Sequence, residues 1–236
     1  MKNRAGKINS FQSMGAVDGP GVRFVIFLQG CPLRCVYCHN PETWGMEGEE
    51  YQLKEVYDRI LRSKPYFGAE GGVTVSGGEP LMQWEFVSKL FQELRREGVH
   101  TALDTSGIGP IEGADEVLKH TDLVLCDLKF ASEYAYQRHC GGSLKQVLYF
   151  LRLTEKMRIP LWIRHVVVPG LTDTRSGVSE IAGMARSFSN LEKLELLPFR
   201  KLCTGKYDML GIPFPLSDCE ECPDETIREL YRMIED

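Results

Sequence analysis

The sequence predicts an α/β fold: an incomplete, open (β/α)6 barrel of the TIM type with an extra N-terminal strand. Three observations lead there. Short β-branched runs alternate with longer amphipathic segments along the 236 residues, and such alternation specifies a parallel sheet with right-handed crossovers. Most of the short runs are continuously apolar, as strands buried on both faces require. Nearly every unusual polar group then falls at the C-terminal end of a run, the rim on which barrel enzymes assemble their sites.

Taken in order, Lys7–Gln12 reads as an edge strand ahead of the barrel, and Val22–Gln29 as its first strand, running into the cysteine-bearing stretch Cys31–Cys38. Leu53–Arg62 is the first helix. Val73–Ser76 leads into Ser76-Gly77-Gly78-Glu79 and the helix Met82–Glu97. His100–Asp104 ends at Asp104-Thr105 before the helix Glu112–Lys119, and Leu123–Asp127 ends at Asp127-Leu128-Lys129 before Ser143–Lys156. Leu161–Val168 carries Arg164 and is followed by Arg175–Phe188; Leu194–Leu197 stops just short of Arg200. Pro223 and Asp224 form a good start for a last helix, Asp224–Ile234. A full barrel of eight units takes about 250 residues, so six units leave it open. Periodicity alone would also allow a doubly wound sheet; the single rim of polar strand ends favours the barrel. One domain over residues 1–236 is expected, with a core of about 15–200 and a tail, 201–236, packed on the barrel.

A net charge of −5 without a long basic run gives no reason to expect nucleic-acid binding. No run approaches a bilayer span, and the first residues lack an apolar leader. The eight cysteines are therefore expected reduced in the cytoplasm, where clustered cysteines bind metals more often than they pair.

The most informative stretch is Gln29-Gly-Cys31-Pro-Leu-Arg-Cys35-Val-Tyr-Cys38-His39-Asn40. Its spacing puts three thiolates in one loop. Three local ligands suit a [4Fe–4S] cluster with one iron left open, whereas an electron carrier usually has four. Spacing also admits zinc, or a closed cluster that recruits Cys126, Cys140 or Cys203. Cys219 and Cys222 have metal-pair spacing with Cys203 as a third thiol, but without a clear fourth ligand they read as reduced tail cysteines. His100, His120, His139 and His165 have no readable partners and are taken as structural.

Cys-x3-Cys-x2-Cys with Tyr37 before the last cysteine, followed by Gly77-Gly78-Glu79-Pro80, resembles the two motifs of the radical S-adenosylmethionine (SAM) superfamily. The resemblance implies that a reduced cluster cleaves SAM to methionine and a 5′-deoxyadenosyl radical. Asp18-Gly-Pro-Gly-Val-Arg-Phe24, Phe27 through Trp44, Leu103-Asp-Thr-Ser-Gly107, Asp122 through Lys129, Trp162 through Gly170 and Glu195-Leu-Leu-Pro198 are similar to the glycyl-radical-enzyme activases. Asn40–Gly72 holds no cysteine, which favours the single-cluster type.

By that resemblance Cys31, Cys35 and Cys38 would ligate the cluster, with the backbone of Tyr37, Cys38 and His39 against the adenine. Gly77, Gly78 and Glu79 would face the methionine amino group. Asp127, Leu128 and Lys129 would hold methionine and ribose, with Arg164 and Val166 lining the channel. Asp104, Thr105, Asp127 and the carbonyl of Leu125 match a monovalent-cation site for Na+ or K+; Asp18 would receive the glycine loop of a partner protein. Arg200 stands where the family commonly has His contacting the ribose. Arginine can donate there but cannot act as a base. The implied partner is a glycyl-radical enzyme, pyruvate formate-lyase before anaerobic ribonucleotide reductase, with a flavodoxin or ferredoxin as reductant and the activase a monomer. Rival readings are a small-molecule radical SAM enzyme and an iron–sulfur electron carrier.

Overall fold

The structure, a computed structural model, describes residues 4–235. Its strands are β1 (Ala5–Gly15), β2 (Arg23–Leu28), β3 (Glu49–Gln52), β4 (Gly72–Gly77), β5 (His100–Thr105), β6 (Leu123–Asp127), β7 (Leu161–Val167) and β8 (Leu191–Pro198). They form one sheet in the order β3-β1-β2-β4-β5-β6-β7-β8. From β2 onward neighbours run parallel, while β1 pairs antiparallel with both β2 and β3. The six predicted βα strands are all present, in sequence order, as an open barrel. The connection from β2 to α1 adds a further edge strand, β3, that pairs with β1 and that the polar run Glu49-Glu50-Tyr51-Gln52 did not announce.

The helices are α1 (Leu53–Ser63), α2 (Trp84–Arg96), α3 (Ile111–Leu118), α4 (Glu133–Cys140), α5 (Leu144–Lys156), α6 (Arg175–Arg186), α7 (Thr204–Leu210) and α8 (Asp224–Glu235). The predicted helices correspond to α1, α2, α3, α5, α6 and α8; α4 and α7 are additions. Ser132 caps α4 through a hydrogen bond from Ala135 N, and Gly141 ends it in the left-handed conformation. Among the described residues no helix is long and apolar enough to cross a membrane.

Side-chain alternation divides the strands between two environments. Leu103, Val124, Cys126 and Ile163 face outward into the main core, packed with Leu90, Phe91, Val147, Leu151 and Ile181 of the helices. Ala102, Leu123 and Leu125 face the barrel interior with Trp162. In β7 the outward Leu161, Ile163, His165 and Val167 are buried, whereas the inward Trp162, Arg164 and Val166 are only partly so. The interior therefore remains unfilled toward β8.

Its floor is closed by Arg23, wholly buried, whose Nε donates to Thr74 Oγ1 at 3.0 Å and whose Nη1 meets His100 Nδ1 at 3.1 Å. Burial lowers this guanidinium to about 10. Thr74 Oγ1 donates in turn to the Asp18 carbonyl at 2.6 Å, tying the loop before β2 to the floor. The tail returns across the open side. Tyr231 of α8 accepts at 2.8 Å from the Leu196 amide on the terminal strand β8. Tyr207 of α7 packs edge-on to Trp44 and donates to the Cys38 carbonyl at 3.2 Å.

Candidate active site

The cysteine loop leaves β2 and lies over the barrel mouth. Gly30 N donates to Thr43 O at 2.8 Å and Cys31 N to Trp44 O at 3.2 Å, closing the loop on itself. Arg34 N and Val36 N donate to the Cys140 and His139 carbonyls at 2.8 and 2.9 Å, so the end of α4 brackets Cys35. The Gly-Gly-Glu segment at the end of β4 joins the same loop. Gly78 N donates to Leu28 O and Glu79 N to Gly30 O, both at 2.8 Å. Gly77 has φ +104°, and a Cβ there would lie 2.3 Å from Leu28 N; only glycine fits. These glycines make a loop-to-loop seam rather than an open turn.

The Glu79 carboxylate is fully engaged inside the protein. It accepts from Leu81 N (3.0 Å) and Thr105 Oγ1 (2.6 Å) on one oxygen, and from Ser106 N (2.8 Å) and Ser106 Oγ (2.5 Å) on the other. Burial pushes its carboxyl up, and these donors oppose the shift. It thereby pins the end of β5 to the end of β4. The same arrangement turns the Thr105 hydroxyl toward Glu79.

The three thiols lie along one loop, Cys35 buried and Cys31 and Cys38 half-buried. Burial pushes Cys31 up to about 12 and Cys38 to about 11. Cys35 is instead held near 7, chiefly by a hydrogen bond from the Cys140 thiol. Trp44 opposes the upward shift of the Cys38 thiol, and its Nε1 is buried without a hydrogen-bond partner among the described residues. Cys126 faces the opposite side of the sheet, with the outer core. Among the described residues no three His, Cys, Asp or Glu side chains converge on one ion position. This leaves Cys203, Cys219 and Cys222 without a joint site; Cys219 Sγ is 3.5 Å from the Pro169 carbonyl.

Beside the loop, β5, β6 and β7 present a chain of alternating charges. Ser76 Oγ donates to Asp104 at 2.7 Å, the Arg164 guanidinium bonds Asp104 and sits 3.4 Å from Asp127, and Lys129 Nζ donates to Asp127 at 2.8 Å. The register explains it: Asp104 pairs with Leu125, and Asp127 with Arg164. Burial works against the charges of Asp127, Lys129 and Arg164, yet Lys129 and Arg164 hold the Asp127 carboxyl below the usual range. Asp18, facing Asp104, is raised by burial and by that like charge. Of the side chains expected around a monovalent cation, Asp104 and Asp127 are bridged by Arg164, and Thr105 donates to Glu79.

Tyr37 Oη is buried without a hydrogen-bond partner among the described residues, a donor that a polar ligand can take up, while Arg164 Nε meets only Asp127, at 3.4 Å. Leu128 and Val166 lie beside them on the same strand ends, Leu128 N donating to Arg164 O at 2.9 Å. His39 Nε2 donates to the Arg200 carbonyl at 2.8 Å, while the Arg200 side chain turns away to Cys222 O and Asp224.

Two contributors escaped the sequence. Trp44 lies in the cysteine-loop segment but carries no legible role there. Tyr136, whose Oη accepts from Lys129 N (3.0 Å) and donates to Asp127 O (3.2 Å), lies in the unannounced α4; Cys140, weighed only as a further cluster ligand, lies there too and meets Cys35. The Ser132 cap and the Gly141-Gly142 stop were the available signals for that helix.

With this geometry described, comparison with known proteins gives a consistent picture. Residues 25–176 match the radical SAM superfamily. A pyruvate formate-lyase-activating enzyme of Staphylococcus epidermidis is 44% identical over 239 residues, covering 97% of this chain and 95% of that one. Its counterpart in Clostridium pasteurianum is 43% identical over 233 residues, 98% of each. The crystal structure of a domain of a pyruvate-formate lyase-activating enzyme from Bacteroides vulgatus shares the fold, with a TM-score of 0.58 at 24% identity over 70% of this chain and 94% of that chain. The chain belongs to the radical SAM superfamily and, within it, to the pyruvate formate-lyase-activating enzymes.

Proposed function

We propose that this protein installs a glycyl radical on a pyruvate formate-lyase. The observation that carries the reading is its near full-length kinship, at 44% identity, with activating enzymes of that name. Membership of the superfamily implies a [4Fe–4S] cluster and SAM. When bound, the reduced cluster would pass one electron to SAM, cleaving it to methionine and a 5′-deoxyadenosyl radical that takes the hydrogen atom from the glycine Cα.

The chain's own residues supply place and polarity. Cys31, Cys35 and Cys38 would each hold one iron, with the unpartnered Trp44 Nε1 buried nearby in the same loop. The backbone of Tyr37, Cys38 and His39 would meet the adenine, and Gly77 and Gly78 the methionine end, held at their distance by the seam to Gly30. Lys129, nearly buried, suits a carboxylate, and Arg164 beside it already faces Asp127 through Nε. Val166 and Leu128 would line the channel. Asp18, only partly buried on the loop before β2, would receive the glycine loop of the partner. A flavodoxin or ferredoxin would deliver the electron to a monomeric enzyme. Asp104 and Asp127 could hold a Na+ or K+ ion only after Arg164 withdraws, so no step is assigned to a cation.

The test is direct. Reconstituted protein, SAM, a low-potential reductant and pyruvate formate-lyase should give a glycyl-radical signal by electron paramagnetic resonance, absent with Cys35→Ala. SAM cleavage without that signal, and with one on another glycyl-radical enzyme, would reassign the partner.

A further inference from the structure

We propose that Arg200 is a positioning residue for SAM, fastening the rim peptide whose carbonyl holds the His39 imidazole, and that residues 217–224 of the tail supply the anchor. This rests on the reading of His39 as part of the SAM pocket.

Beyond Pro198 the chain leaves the sheet and crosses the mouth as Phe199-Arg200-Lys201. Phe199 N still donates to Val167 O at 3.0 Å, but past that point no strand lies alongside. A peptide in this position would turn freely, and its carbonyl with it. Here it is fixed from the other side. Cys222 N donates to Phe199 O at 3.0 Å, and Lys201 N to Glu221 Oε1 at 2.7 Å. Lys201 Nζ reaches Ser217 O at 2.6 Å. Between these ties the Arg200 guanidinium bonds the Cys222 carbonyl with one nitrogen and the Asp224 carboxylate with another. The Arg200 carbonyl is thereby aimed at His39 Nε2, 2.8 Å away.

The residue type fits the task. A planar guanidinium can serve a carbonyl and a carboxylate at once in fixed directions; a lysine ammonium is a single point on a flexible stem. The side chain itself stays outside the mouth, so Arg200 acts on SAM through its own backbone and through His39. Asp224 is 70% exposed, which keeps its share modest.

The experiment uses the full reconstituted protein. SAM affinity is measured by calorimetry, the response of the reduced cluster's paramagnetic resonance spectrum to SAM is recorded, and hydrogen exchange is followed at the Cys222 amide. Arg200→Ala should raise the SAM dissociation constant about tenfold and Asp224→Asn about threefold, with Arg200→Lys between them. The affinity loss should track faster exchange at Cys222. If Arg200→Ala weakens SAM while Asp224→Asn leaves it unchanged, Arg200 is a direct ligand and the positioning role is wrong. Unchanged affinity in both, with faster exchange, would make the contact a tail fastening only and equally overturn it. Should Arg200→Ala fail to hold iron, Asp224→Asn and Arg200→Lys decide the matter. If wild-type protein itself gives neither heat nor spectral change with SAM, the reading of the site falls, and this inference falls with it.

Discussion

Replacing Glu79 by Gln changes one oxygen to an amide nitrogen and nothing in size, so no cavity confuses the outcome. Each carboxylate oxygen accepts one backbone N–H, from Leu81 on one side and Ser106 on the other. The Thr105 and Ser106 hydroxyls can rotate to accept from an amide, but the backbone donors cannot. Whichever way the Gln lies, its NH2 must confront an N–H in a fully buried place. The lost charge-assisted bond costs about 1.5–3 kcal/mol and the stranded donor about 1–3 kcal/mol. A total near 4 kcal/mol should lower the melting temperature by roughly 10 °C in a chain of this size. Thermal unfolding of the apoprotein, followed by far-ultraviolet circular dichroism, reads it. Glu79→Gln melting within 2 °C of wild type while losing SAM affinity would refute the argument and make the carboxylate a ligand instead of a pin.

Two further outcomes follow from the same seams. Gly78→Ala would put a Cβ 2.3 Å from the Gly30 carbonyl and 3.1 Å from that of Thr43, atoms that cannot step aside. The cysteine loop should lift from β4 at a cost of about 2–3 kcal/mol; iron and sulfide content after reconstitution should drop, and wild-type loading would contradict it. His165 is buried between the Leu128 and Thr172 carbonyls, and burial holds it below its ordinary value. The unfolded chain therefore binds the extra proton first, and stability should decline as pH falls below about 6.5. Melting temperature against pH should show a shallower decline for His165→Gln than for wild type; parallel curves would place the titration elsewhere. Asp18 and Glu79, both raised, act in the opposite sense, so the difference between the two proteins isolates the imidazole.

The parallel strands were legible because burial on both faces leaves long apolar runs such as Phe24–Leu28 and Leu123–Cys126. Strand β3 was not, since a polar edge pairing with β1 alone needs no apolar code. Helix α4 buries only Tyr136 and Cys140 and so carries almost no amphipathic stripe. The site's residues were legible as types at strand ends, but their partners were not. That Arg164 spans Asp104 and Asp127, or that Arg200 faces the tail, depends on register and on a return of the chain from more than twenty positions away. Spacing within one segment holds no record of either.

The tyrosine that caps the β8 edge has a consequence for synthesis. Leu196 leaves the ribosome thirty-five positions before Tyr231, which at about 5–20 residues per second is a delay of roughly 2–7 s. Over that interval the barrel's terminal strand presents open backbone groups to any neighbouring chain. Truncations ahead of Tyr231 would leave the Leu196 amide without this partner for the life of the chain.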